Sequence, residues 1–311
     1  MKKVGMVFPG QGSQYVGMGK DLCERFPSAR EVYEEANDAL GYDITSLCFQ
    51  GPEEDLQLTA NTQPAILTTS IAALRVMQVE REIVPLAAAG HSLGEYGALV
   101  ASGGLRFADA VRLVHLRGKF MQEAVPVGVG AMAAIMGMTG PEVEALCRES
   151  AEGEVLSPAN FNSPGQIAIA GHSTAVNRAV EKVSKMAGKK AMLLPVSAPF
   201  HCALMKPAAE RLRDALARVE VGDLHIPVLS NAEADFYPGP ETIRELLVKQ
   251  VDHPVRWEEC MQKLIGMGAN LILEVGPGKV LSGLMRRISR DAPMANVEDG
   301  PTWGKVQALL V

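Results

Sequence analysis

What this 311-residue sequence lacks narrows its class before any motif is read. It has no C-x-x-C pair: Cys23, Cys48, Cys147, Cys202 and Cys260 stand apart and are odd in number, which argues against a disulfide framework or a cysteine zinc site and fits a reducing compartment. No apolar run approaches the length of a membrane span. Met1-Lys2-Lys3 has the charge of a signal-peptide start, but the apolar run behind it is cut by Pro9 and Gly10, so the expected location is cytoplasmic. A basic surplus is missing too: the formal net charge of -6 opposes a general affinity for nucleic acid or anionic membrane, leaving only local basic patches. Internal repeats and low-complexity tracts are absent. What remains, with 47% hydrophobic and 21% charged residues, is an ordinary globular chain long enough for one large α/β domain or up to two domains.

Apolar runs of strand length recur at Val4 to Phe8, Pro85 to Ala89, Ile226 to Ser230 and Leu271 to Val275, with amphipathic helical stretches between them. Strands alternating with helices imply a parallel sheet covered on both faces. Ser28 with Glu31 reads as a capping box, and Gly41 as the end of the helix it starts. A helix is expected from Phe107 to Glu123, with Val111, Leu113 and Val114 on its apolar side and Arg117 well inside it. The middle of the chain changes pattern. "GAMAAIMG", "PEVEALCRES", "VLSPANFN", "QIAIAG", "STAVNRAVEKVSKMA" and "KAMLLPVS" read as strand, helix, strand, strand, helix and strand, the last helix opening at Ser173. That is the ferredoxin-like β-α-β-β-α-β order, so a small fold over residues 127–197 is expected to interrupt a larger one made of 1–126 and 198–311. A ligand site is expected in the cleft between them.

The first glycine-rich turn, "VGMVFPGQGSQYVGMGK", invites a nucleotide-binding reading and fails it. In the dinucleotide pattern Tyr15 stands where the third glycine is needed, and in the NTPase pattern Met18 follows Gly17, with Lys20 two places late. A stronger signal is "AAAGHSLGEYGALVASG", where a short strand runs into Gly90-His91-Ser92-Leu93-Gly94 and then a helix. This is G-x-S-x-G in the setting a nucleophile elbow needs. The turn exposes Ser92 Oγ, the helix N-terminus faces any developing negative charge, and the Leu93 N–H is placed to donate to an oxyanion. The bland alternative is a glycine-rich turn with an incidental serine.

A nucleophilic serine needs a base, and the histidines are His91, His115, His172, His201, His225 and His253. His115 lies within a helix, His172 and His225 flank elements, and the turn should aim His91 away from its neighbour. His201, in "PVSAPFHCALMKP", stands where the small fold hands back to the large one and borders the expected cleft. It is the candidate base, with His253 still open on these grounds.

"FPGQGSQ" at Phe8 to Gln14, "GHSLGEY" at Gly90 to Tyr96, "LRGKFMQEA" at Leu116 to Ala124, "NFNSPGQ" at Asn160 to Gln166, "PFHCALMKPA" and "EVGPGKVL" at Glu274 to Leu281 together resemble the bacterial malonyl-CoA:acyl carrier protein transacylases, in the family's order and over nearly the whole chain. The resemblance implies an α/β-hydrolase-like large subdomain with an inserted ferredoxin-like small one. It implies that the Gln11 and Leu93 N–H groups form an oxyanion hole, each such donor contributing about 3 to 4 kcal/mol in the transition state. Glycines on both sides of Gln11 then let the backbone approach a substrate carbonyl. It also gives Arg117, otherwise a solvated helix charge, the task of holding the free malonyl carboxylate through a two-pronged pair. An acetyl group would leave that guanidinium alone, a difference worth roughly a hundred- to a few thousand-fold. Met121, in the same block, is assigned to substrate binding. Asp252 is the obvious acid behind the base, but the resemblance maps the third member onto Gln250, whose backbone carbonyl would orient His201. Phe200 is similar to the residue that accompanies malonyl selection in polyketide acyltransferases.

The implied reaction is malonyl transfer from malonyl-CoA to the phosphopantetheine thiol of acyl carrier protein, in fatty acid biosynthesis, through a malonyl ester on Ser92. It calls for no metal and no cofactor. Rivals are a serine hydrolase or thioesterase, a trans-acting polyketide malonyltransferase, and a non-catalytic module of a synthase assembly. For an acidic carrier, Lys189 and Lys190 and the set Arg286, Arg287 and Arg290 are the candidate docking residues.

Overall fold

The computed structural model describes residues 2–196 and 198–310. β1 (Val4–Phe8) is buried along its whole length and pairs in parallel with β2 (Ala87–Gly90) on one side and β9 (Leu271–Val275) on the other. Between β1 and β2 run α1 (Lys20–Arg25), α2 (Pro27–Leu40), α3 (Ile44–Gln50), α4 (Glu53–Leu56) and α5 (Thr59–Glu80). α5 is buried on nearly every side, as a helix without a polar face must be, and it carries Gln63 into the interior. After β2 come α6 (Gly94–Ser102) and α7 (Phe107–Glu123), the latter with the limits its periodicity implied.

The second sheet follows as β3 (Gly130–Met136), α8 (Gly140–Ala151), β4 (Leu156–Ser163), β5 (Gln166–His172), α9 (Ser173–Ser184) and β6 (Lys190–Leu193). Its strands pair antiparallel in the order β4-β5-β3-β6, with α8 and α9 packed on one face over Ala133, Ile135, Ile167 and Ile169. This is the inserted ferredoxin-like fold. The other face, through Met132, Ala159, Ala168 and Ala170, joins the core of the large lobe. Backbone bonds seal the junction: Phe161 N–H donates to the Val255 carbonyl at 2.9 Å, and Val255 N–H to the Ala159 carbonyl at 2.9 Å. The chain then returns through α10 (Lys206–Leu216), the short antiparallel pair β7 (Leu229–Ser230) and β8 (Asp235–Phe236), α11 (Ile243–Asp252), α12 (Trp257–Gly266), β9, α13 (Val280–Ile288), β10 (Met294–Val297) and α14 (Gly300–Leu309).

Four local expectations change. α2 begins at Pro27 after an extended Phe26, with no side-chain cap, so Ser28 and Glu31 form no capping box; proline at the first helical position already holds the required φ. Its end at Gly41, with φ 75°, is as expected. The strand expected over Ile226 to Ser230 shrinks to β7 and a single parallel bridge from Val228 to Ala88, because Pro227 has no N–H to give a ladder. β6 stops at Leu193, short of the expected strand, with Pro195 just beyond; Ser197, expected as the last residue of the small unit, lies outside the described residues. The parallel sheet reads β10-β9-β1-β2, so one edge is β10, a strand not among the expected ones.

Candidate active site

A cleft of about 210 Å³ opens between the two sheets. Its floor is the turn between β2 and α6. A Cβ on Gly90 would sit 1.9 Å from the Gly94 carbonyl carbon, and one on Gly94 would sit 2.0 Å from the Phe8 carbonyl oxygen, so both positions need glycine for strand, turn and helix to close on one another. The turn puts Ser92 at φ 51°, a left-handed conformation that costs a non-glycine residue on the order of 1 to 3 kcal/mol. Asn231 holds it there. Its Oδ1 accepts the Ser92 N–H at 2.7 Å, and its Nδ2 donates to the Gly90 carbonyl at 2.8 Å.

His201 is also left-handed, at φ 59°, and buried. Its Nε2 lies 2.7 Å from Ser92 Oγ and its Nδ1 2.8 Å from the Gln250 carbonyl oxygen. A carbonyl only accepts, so Nδ1 carries the proton and Nε2 is free to receive one from the serine hydroxyl. Burial, then the Arg117 charge, pushes the imidazole down to about 3, so it is neutral. Asp252 faces elsewhere: its carboxylate meets His253 Nδ1 at 2.6 Å. The remaining imidazoles are engaged away from the serine. His91 Nε2 meets Asn162 Oδ1 at 2.8 Å, His115 Nδ1 meets the Ala60 carbonyl at 2.9 Å, His172 Nδ1 accepts the Val155 N–H, and His225 packs beside Gly103.

Arg117 is 1% exposed. Its Nη1 donates to Gln63 Oε1 at 2.7 Å; its Nη2 donates to Gln250 Oε1 at 2.9 Å and to Ser92 Oγ at 3.0 Å. Every one of these acceptors is neutral, and Nε is buried with no partner among the described residues. Desolvation lowers the guanidinium's pKa, with Tyr96 and Glu95 pulling the other way. Of the described residues lining the cleft, Arg117 is the only permanently charged one. Met121 and Phe200 also line it, Met121 under the Gln63 amide and Phe200 beside His201.

The loop after β1 forms the opposite lip. A Cβ on Gly10 would lie 2.4 Å from the His91 carbonyl oxygen, so this loop presses against the serine turn. Gln11 and Leu93 both border the cleft, and the N–H of neither has an acceptor among the described residues. The Gln11 side chain donates to Thr59 Oγ1 at 3.3 Å, which anchors the loop on α5. Four residues that sequence reasoning passed over complete the surroundings: Gln63, Glu95, Asn162 and Asn231. The signal for Glu95 lay within "GHSLGEY" itself, as an acidic residue beside a serine turn on a helix otherwise composed of small and apolar residues.

The donor-lined cleft, the serine on a strained strand-to-helix turn and the neutral imidazole at its hydroxyl define an acyl-transferring site, and the chain belongs to the acyl transferase domain family, which it matches over residues 6–307. Within that family it is similar to the malonyl CoA-acyl carrier protein transacylase of Escherichia coli strain K12, at 50% identity over 288 residues covering 93% of each chain. Among solved structures it resembles an acyl carrier protein S-malonyltransferase of Vibrio cholerae, with a TM-score of 0.94, 46% identity, and 98% of this chain and 99% of that one covered. A malonyl-transacylase solved in complex with its type II PKS acyl-carrier protein gives a TM-score of 0.95 at 46% identity, with 99% of each chain covered.

Proposed function

We propose that this enzyme moves a malonyl group from malonyl-CoA to the phosphopantetheine thiol of an acyl carrier protein, in fatty acid biosynthesis, through an ester on Ser92. The observation that carries the reading is Arg117: a buried cation with neutral partners and a spare Nε–H, whose Nη2 lies 3.0 Å from the serine oxygen. A charged donor kept dry needs an anion to complete it, and a carboxylate two carbons from the reacting carbonyl fits. An acetyl group brings none.

In the first half-reaction Ser92 Oγ adds to the thioester carbonyl while His201 Nε2 takes its proton. The oxygen that gains charge is met by the Gln11 and Leu93 N–H groups. The C–S bond then breaks, His201 returns the proton to the leaving CoA thiolate, and the malonyl group stays on Ser92. In the second, His201 takes the carrier thiol's proton, sulfur attacks the ester carbonyl, and the proton goes back to Ser92 Oγ as the C–O bond breaks. Gln250 serves through its carbonyl, which holds Nδ1–H and keeps Nε2 basic; Met121 and Phe200 shape the acyl pocket. The steps balance with no redox partner: the C–S bond of malonyl-CoA breaks as the ester forms, and the ester C–O bond breaks as the new thioester forms on the carrier.

The carrier is read to dock at the cleft rim, where the segment following β6 and helix α13 face each other through Leu194, Val196, Val280 and Leu284. Lys190, on the strand before that segment, and Arg286 and Arg287 on α13 with Arg290 just after it are exposed, and they suit an acidic partner. Lys189 is the weaker member: its ammonium already meets the Gly137 carbonyl and lies 3.7 Å from Glu142. A polyketide-type carrier is the second reading for the acceptor, favoured by the relative solved with such a partner. Offering malonyl-CoA and acetyl-CoA with carrier protein tests substrate, acceptor and reaction class together. Malonyl transfer with stoichiometric CoA release when the carrier is omitted is expected; continuous CoA release would mean hydrolysis.

A further inference from the structure

Beneath the serine turn lies a carboxylate with no place in the steps above. Glu95, on the first turn of α6, is fully buried and does not line the cleft, so whatever it does for the reaction runs through other residues. Its Oε2 accepts from Gln250 Nε2 at 2.8 Å and from the Asn231 N–H at 2.9 Å, and its Oε1 accepts from the Tyr237 hydroxyl. Resting on the function proposed above, we propose that Glu95 is a positioning residue for acyl-group selection: through the Gln250 carboxamide it holds the Arg117 guanidinium in the pose that receives the acyl carboxylate.

The argument turns on which way that carboxamide faces. Gln250 Nε2 donates to Glu95 Oε2 and also to the Ser92 carbonyl at 2.9 Å, which leaves Oε1 to accept from Arg117 Nη2 at 2.9 Å. Turned over, its NH₂ would face the guanidinium N–H groups and its oxygen would face a carboxylate and a carbonyl, so every contact would become donor against donor or acceptor against acceptor. Two acceptors on one side therefore fix the third contact. With Nη2 held by Gln250 and Nη1 held by Gln63, the guanidinium plane is pinned at two points, and Nε is the nitrogen left without a partner among the described residues. The same carboxylate reaches the serine turn by a second route, through Asn231, whose side chain clamps Ser92 and Gly90. Burial pushes the Glu95 carboxyl up to about 7, against the Tyr237, Gln250 and Asn231 bonds and the Arg117 charge, which hold it down. Tyr96 on α6, Cys260 on α12 and His201 are the other titratable groups of this interior, all buried.

Reach and charge can be separated. Glu95→Asp keeps the charge but draws the oxygens back by one methylene. Glu95→Gln keeps the length, since its amide oxygen can take both bonds of Oε2 while its NH₂ faces the Tyr237 hydroxyl oxygen. The measurement is the second-order rate constant for the CoA burst from malonyl-CoA and from acetyl-CoA in each full-length variant, beside its melting temperature. Glu95→Asp is expected to narrow the malonyl preference by at least about tenfold, by slowing malonyl-CoA more than acetyl-CoA, because it loosens a bond to a charged group. Glu95→Gln should narrow it by less than about threefold, the loss expected when the bonds survive. Equal slowing of both donors in Glu95→Asp, an unchanged preference, or a Glu95→Gln as indiscriminate as Glu95→Asp would each overturn the proposal. If Glu95→Asp does not fold, Tyr237→Phe leaves Glu95 in place with one anchor fewer; a smaller narrowing there supports the proposal, and an unchanged preference overturns it. A wild-type enzyme with no malonyl preference would overturn the proposed function, and this inference with it.

Discussion

The wall of the cleft that belongs to the parallel-sheet lobe holds Ser92, His201 and Arg117; the wall built on the antiparallel sheet presents Met132, Asn160, Asn162, Gln166 and Ala168, none of them ionisable. Strain is divided the same way. Ser92 and His201 are left-handed without being glycine, whereas no residue of β3, β4 or β5 has a positive φ. Strain and buried charge persist only where the surroundings over-determine them. The first wall has such surroundings in Asn231, Gln250, Gln63 and Glu95, all buried beneath it. The second wall needs none, and its neutrality leaves Arg117 without a rival charge in the cleft. On the proposed mechanism, covalent chemistry and acyl choice are thus concentrated in one lobe, while the other encloses them and keeps the local dielectric low.

The test that would break this division most sharply is Ser92→Ala. It should abolish the malonyl-enzyme in mass spectra with the melting temperature nearly unchanged; malonyl label on any other residue would move the chemistry elsewhere. Next, His201→Ala should slow both half-reactions by about 10²- to 10⁴-fold, the usual contribution of a general base. Asp252→Asn should leave the rates alone, because that carboxylate faces His253. Arg117→Ala removes the cation itself, and the malonyl-over-acetyl preference should fall by roughly a hundred- to a few thousand-fold, while substitutions of Asn162 or Gln166 leave the preference intact. On the proposed docking surface, Lys190→Glu with Arg287→Glu should raise the KM for carrier protein several-fold at low salt and flatten its salt dependence, with the malonyl-CoA half-reaction unchanged. Equal loss in both half-reactions would remove these residues from the docking surface.

The smallest expected change is in a pH profile. His201 has its pKa lowered from 6.5 to about 3, so it is neutral above that value in the free enzyme. kcat/KM for malonyl-CoA, which reports free-enzyme groups, should therefore show no acid limb near 6.5. The linkage sign agrees: a depressed histidine stabilises the fold above its unfolded pKa, and that contribution is lost as pH falls from about 6.5 toward 3. A substrate carboxylate on Arg117 would cancel the second cause of the depression, letting the imidazole take the serine proton more readily once the site is filled.

How much of this was legible follows from range. The turn at Ser92 shows in the sequence because its requirements are local: a strand, two glycines and a helix within ten residues. The β-α-β-β-α-β order shows because hydrophobic period changes from element to element. β10 did not show. It is four residues long, follows Pro293 and includes Asn296, so neither length nor alternation marks it. The polar support beneath Ser92 was out of reach for another reason: Glu95 meets Asn231 across 136 positions, and Arg117 meets Gln63 across 54. No short pattern encodes such a pairing. The Gln250 assignment came through family resemblance, since a backbone carbonyl has no residue signature at all.

Val255 has one more consequence. Because Ala159 and Phe161 are tied to it by backbone bonds, and Met132, Ala168 and Ala170 share the host's core, the two walls are joined along β4 and stand at a set distance. Such a slot works as a gauge. On the proposed reaction, depth rather than opening would sort what enters: a guest would thread a slender arm long enough to bring its sulfur to the floor, while any bulky body stays at the rim. Two unrelated bodies, a nucleotide and a folded carrier, would then be served in turn by one passage, because the enzyme would measure only the arm they have in common.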